Sequence, residues 1–104
     1  MDTSLDREFV ARSESIVTQL GFRDLKSFVK NQTLLMLMAR MEKYEAETRR
    51  FKVKYGIDFN AFQERINSKN NQEDFSVEDD FLDWRFAEEA LKRLQTQTRE
   101  LENA

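Results

Sequence analysis

The sequence predicts an all-α, elongated protein with two long helices, about 25–55 and 77–102, and two shorter ones, paired into a helical dimer. Three observations carry this reading. The 104 residues include no proline and only two glycines, Gly21 and Gly56, so little interrupts a helix from within. Charged residues reach 36%, against about a quarter in an average domain. Apolar residues recur three and four apart over most of the chain, which is the helical period.

The first helix is read from about Ser4 to Leu20. Leu5, Phe9, Ile16 and Leu20 form one stripe with Val10 and Val17 beside it, and Thr3 or Ser4 is available as a cap ahead of Asp6. Gly21 suits the left-handed position that closes a helix. The second helix starts after Asp24, a capping residue, and runs unbroken to Gly56, roughly 30 residues or about 45 Å. Its first half is apolar on nearly every side, through Leu25, Phe28, Val29, Leu34, Leu35, Met36, Leu37 and Met38. Such a surface needs neighbours all round, so Phe28, Leu34, Leu35, Met36, Leu37 and Met38 are assigned to dimerisation. The second half narrows to Met41, Tyr44, Thr48, Phe51 and Tyr55, spaced like a coiled-coil seam.

Asp58 caps a short helix bearing Phe59, Phe62 and Ile66, which turns back onto that seam. Residues 67–74, NSKNNQED, hold no apolar side chain and are read as a mobile loop. Ser76 with Asp79 forms a capping-box pattern for the last helix. Its seam is Phe81, Trp84, Ala87 or Glu88, Leu91, Leu94, Thr98 and Leu101. The chain is thus one structural unit with a dimerisation part, 1–56, and an acidic part, 57–104.

Composition removes many function classes. With no cysteine or histidine there is no disulfide framework, no thiolate or imidazole zinc site and no imidazole proton shuttle. No cofactor is expected. The longest uninterrupted apolar run, Leu34 to Ala39, is far short of the roughly 20 residues that span a bilayer. Asp2, Arg7, Arg12 and Glu14 occupy the place where a signal peptide needs an apolar stretch, and a cytoplasmic location is expected.

Net charge is −3, unevenly divided. Residues 1–56 carry 11 bases and 8 acids, a balance of +3, while residues 57–104 carry 6 and 12, a balance of −6. The basic run Arg49-Arg50-Phe51-Lys52-Val53-Lys54 is read first as a helix face with partners in its own chain, because the acidic total opposes nucleic-acid affinity. Between Glu73 and Glu89, eight acids surround Phe75, Phe81, Trp84 and Phe86 with Arg85 the single base. Asp79 and Asp80 suit a helix N-terminus. The remainder of the strip has the composition of a segment that docks a basic, partly apolar surface. Phe75, Asp80, Phe81, Asp83, Trp84 and Glu88 are therefore the candidate partner-binding residues.

Two acid pairs, Glu42 with Glu45 and Asp80 with Asp83, place carboxylates on one helix face and resemble the magnesium-holding pairs of all-α nucleotide pyrophosphohydrolases. With 20 acids in the chain, solvated helix faces are the simpler reading of such pairs. A catalytic role ranks last.

Residues 20–30, LGFRDLKSFVK, resemble the corner of ribbon-helix-helix proteins, where LGF ends one helix and a capping residue precedes an FV that opens the next. Residues 40–66, RMEKYEAETRRFKVKYGIDFNAFQERI, followed by EDDFLDWRFAEEALKRL at 78–94, resemble small antitoxin-type proteins that pair with ribonuclease-like toxins. The first resemblance departs at the N-terminus: only Met1 to Leu5 precede the first helix, which leaves no room for a DNA-reading strand. No DNA-contacting residue is carried over. Residues and resemblance together imply a non-catalytic, antitoxin-like dimer whose acidic, aromatic C-terminal helix covers a basic toxin surface. A helical scaffold, a DNA-binding regulator and, last, a magnesium-dependent nucleotide pyrophosphohydrolase are the alternatives.

Overall fold

The computed structural model describes residues 3–68 and 75–104, with side chains from Asp6 onward. Four helices follow one another: α1 (Thr3–Gln19), α2 (Leu25–Tyr55), α3 (Phe59–Ser68) and α4 (Phe75–Glu102).

Local chemistry at the helix ends follows the sequence closely. Gly21, at φ +104°, closes α1. The amides of Gly21 and Phe22 donate to the carbonyls of Thr18 and Val17 at 3.1 and 3.0 Å, which satisfies the last turn in a Schellman arrangement. Asp24, extended at φ −161°, accepts from the Ser27 amide at 2.7 Å and caps α2. The free Leu25 amide is taken by the Glu14 carboxylate at 3.0 Å, tying α1 to the start of α2. Gly56 at φ +71° ends α2, its amide donating to the Lys52 carbonyl at 2.7 Å. Asp58 then accepts from the Ala61 amide at 2.9 Å and opens α3.

Three expectations at the ends are corrected. Thr3 and Ser4 fall inside α1 rather than ahead of it. Asn67 and Ser68 complete α3, and the rest of the expected loop, 69–74, lies outside the described residues. The last helix is already formed at Phe75, the first described residue of this segment, so Ser76 lies within the helix rather than ahead of it. Val77 packs on the core two residues later, so the helix has to be under way before it.

The two seams meet as an antiparallel hairpin. Lys30 Nζ donates to the main-chain oxygens of Glu102 and Ala104 at 3.0 and 3.2 Å, the Thr98 hydroxyl lies 3.9 Å from Met41 Sδ, and Lys54 pairs with Asp80. Every residue of both expected seams is buried or half-buried. At the α3 end a third layer closes the core: Phe51, Phe62 and Trp84 are fully buried, with Tyr55, Ile57, Phe59, Ile66, Val77 and Phe81 packed around them. At the other end only the hairpin and α1 are present.

The molecule measures 64 × 30 × 22 Å with a radius of gyration of 21.1 Å, against about 13 Å for a compact domain of this length. Among the described residues, no helix is long and apolar enough to cross a membrane.

Candidate docking surfaces

The acidic helix α4 divides its aromatic residues between two faces. Trp84 lies at the centre of the core, stacked on Phe51 at 5.6 Å and tilted against Phe62 at 5.1 Å. Its indole N–H donates to the Glu88 carboxylate at 3.2 Å. Phe81 stacks on Phe59 at 5.8 Å. Asp80 accepts hydrogen bonds from Lys54 and Tyr55, and the Lys54 contact first, then Tyr55, hold its carboxyl below the usual range. Asp80, Phe81, Trp84 and Glu88 are thus corrected from partner-binding candidates to members of the chain's own packing. The reason is periodicity: 77, 80, 81, 84 and 88 share the helix face that turns toward α2 and α3.

Phe75 and Asp83 stay outside, and so does Phe86. Phe75 is 73% exposed and Phe86 60%, with Leu82 exposed between them. Positions 75, 79, 82 and 86 follow one another at intervals of three and four, so they form a single outward stripe. Glu78, Asp83 and Glu89 flank it and, like Asp79 within it, are exposed. The Phe86 ring is steadied from one side by Tyr44, edge to face at 5.9 Å. Leu82 was not apparent as a candidate from composition alone. Once the inward seam of α4 is fixed, the opposite face is fixed too, and that is the signal that finds it.

A second apolar surface lies at the far end. Of the six dimerisation candidates, Phe28 is half-buried and meets Phe22 edge to face at 5.1 Å. Leu34 and Leu37 are half-buried in phase with the α2 seam. Leu35, Met36 and Met38 are exposed, as is Val29. In α1 the expected stripe does not face inward. Val17 is buried, whereas Phe9, Val10, Ile16 and Leu20 are exposed. The cause is the corner: the Gly21 closure and the Glu14–Leu25 hydrogen bond turn the Glu14 and Val17 side of α1 toward α2.

The carboxylate pairs do not converge. Met41 sits opposite Thr98 and Lys54 opposite Asp80, so Glu42 and Glu45 lie farther along the hairpin, toward Thr98, than Asp80 and Asp83. No group of three or more acids among the described residues is close enough to hold a metal ion. The basic run is partly engaged in its own chain: Arg50 lies over the Phe51 ring at 4.7 Å and 3.7 Å from Glu47, and Lys54 holds Asp80. A cleft of about 380 Å³ between α3 and α4 alternates Lys52, Arg85 and Lys92 with Asp58, Glu88 and Glu89, a mixture that selects no single ion charge.

Among known proteins, the model of the family described as "Uncharacterized protein MJ0235 family" matches residues 13–104, and the chain belongs to that family. No curated protein and no solved structure matches it.

Proposed function

We propose that this member of the MJ0235 family is a cytoplasmic, non-catalytic protein–protein interaction module, a dimer that docks a basic partner on the outer face of α4. The observation that carries the reading is the set of large apolar side chains left exposed, all but Val53 in two groups, one on α1 and the first half of α2, the other on α4. Monomeric soluble proteins rarely leave contiguous apolar patches uncovered. The two groups differ in setting. Bases and acids alternate around the first. Acids surround the second, which therefore favours a partner with positive charge around an apolar centre.

The antitoxin-like case, in which that partner is a basic toxin, rests on the sequence resemblance together with this acidic stripe. Its contact residues are Phe75, Leu82, Asp83 and Phe86, in place of the buried Trp84. Isolation of the tagged chain from its native cell, followed by mass spectrometry, tests the reading. A stoichiometric basic protein whose retention is lost in Phe86→Ala is the expected result. A chain that runs as a monomer and retains no protein would overturn it.

A further inference from the structure

We propose that two copies of this chain pair about a two-fold axis so that α1 of each lies across the first half of α2 of the other. The inference rests on the self-association part of the reading above and specifies its geometry.

Two stripes lack a cover within the chain. On α1, Phe9, Ile16 and Leu20 stand seven and four residues apart on one face and are 57–69% exposed. On α2, Val29 and Met36 stand seven apart on one face and are 52% and 63% exposed. The Phe9–Ile16 and Val29–Met36 intervals are the same, about 10 Å along each helix, so one pair can seat against the other.

They cannot do so within one copy. The closure at Gly21, the Asp24 cap and the Glu14–Leu25 hydrogen bond fix the angle between α1 and α2. That angle presents Val17, not Phe9 or Leu20, to the chain's own α2. Rolling α1 to bury its stripe would break those bonds. A second copy offers the missing surface with no change at the corner.

Symmetry then doubles the contact. In a two-fold pair, α1 meeting the partner's α2 implies the reciprocal contact, so both stripes are covered at once. With roughly 200 Å² for a fully exposed large side chain, the five stripe residues, 52–69% exposed, offer on the order of 600 Å² per copy, the lower edge of one partner's share of a standard interface.

Charge points to a second copy over a foreign partner. Residues 1–43 carry seven bases (Arg7, Arg12, Arg23, Lys26, Lys30, Arg40, Lys43) and six acids (Asp2, Asp6, Glu8, Glu14, Asp24, Glu42). An end so close to neutral meets its own copy without like-charge repulsion. The acidic stripe of α4 would repel itself and is unsuited to the same role.

The absence of cysteine from the chain makes a direct test available. Full-length Ile16→Cys and Met36→Cys, each carrying one thiol at an exposed position, are mixed, allowed to exchange subunits and oxidised. One variant carries a mass tag so that mixed and like pairs are distinguishable. The expected result is a predominant cross-link joining Ile16→Cys to Met36→Cys, with little from either variant alone. Leu20→Glu is expected to move the sedimentation of the otherwise unmodified chain from dimer to monomer with its helical spectrum retained. A predominant Met36→Cys like pair, or a Leu20→Glu dimer, would overturn the crossed arrangement while leaving self-association standing. A wild-type chain sedimenting as a monomer at micromolar concentration would overturn both.

Discussion

Trp84 sets the scale of what one residue contributes. It is the only tryptophan, has no exposure to solvent, and touches the rings of Phe51, Tyr55, Phe59 and Phe62. Truncating a buried aromatic leaves a cavity that the core fills only in part, so Trp84→Ala should cost about 3–5 kcal/mol in urea unfolding followed by circular dichroism. A loss below about 1 kcal/mol, typical of surface changes, would place Trp84 outside the core. Asp80 makes a different contribution, through charge. Its carboxylate is mostly shielded and is held by Lys54 and Tyr55, which lower its proton affinity in the folded state. The unfolded chain therefore binds the proton more readily. The stabilisation is complete above the ordinary aspartate range, near pH 4, and is lost as pH falls through the lower folded value. Lys54 is half-exposed, so screening keeps the cost of Asp80→Asn to about 1 kcal/mol. That cost should appear at neutral pH and shrink as acid protonates Asp80 in the folded chain; a pH-independent cost would refute the account.

Four of the helix limits rest on residues that could be read in advance. Gly21, Asp24, Gly56 and Asp58 do what their chemistry dictates, because left-handed closure and side-chain capping are local events. Both seams were equally legible, since the positions that repeat at three and four are those that the hairpin buries. The orientation of α1 was not legible. Its strongest stripe, Phe9, Ile16 and Leu20, lies outside because the corner geometry outweighs the periodicity of one helix. The strip 73–89 was only half legible for a related reason. Composition groups Phe75, Phe81, Trp84 and Phe86 together, yet only the register against α2 decides that two point in and two point out. Lys54 and Asp80 illustrate the same gap: in sequence they belong to separate charged runs with no sign of pairing, and the antiparallel register brings them together. At this scale Gly56 is the sharpest test. No atom lies within 4 Å of the position a Cβ would take, so Gly56→Ala carries no steric clash and isolates the cost of its positive φ. That cost should be about 1–2 kcal/mol by thermal unfolding. An unchanged midpoint would mean that the α2–α3 turn does not require the left-handed conformation.

Across the whole molecule, charge and apolar surface divide along the 64 Å axis. The α3 end holds the closed aromatic core with the acidic stripe on its outer side. The α1 end holds the other group of uncovered apolar residues, in a nearly neutral setting. On the proposed reading, self-association and partner docking use separate surfaces, so the two are expected to be perturbed independently. Asp79 and Asp83 are exposed and form no ion pair among the described residues, so reversing both to lysine should leave the dimer intact and lower the melting temperature only slightly, through the lost attraction of Asp79 for the start of α4. Charges in this position act mainly on encounter. The double reversal should therefore slow association with the basic partner recovered from the cell, and should flatten the dependence of that rate on salt. Phe86→Ala removes an apolar anchor instead, so it should speed dissociation and weaken the complex by roughly 2 kcal/mol with little effect on the association rate. Surface plasmon resonance over a series of salt concentrations separates the two effects. Equal association rates for wild type and the double reversal at low salt would mean that the partner does not approach along α4.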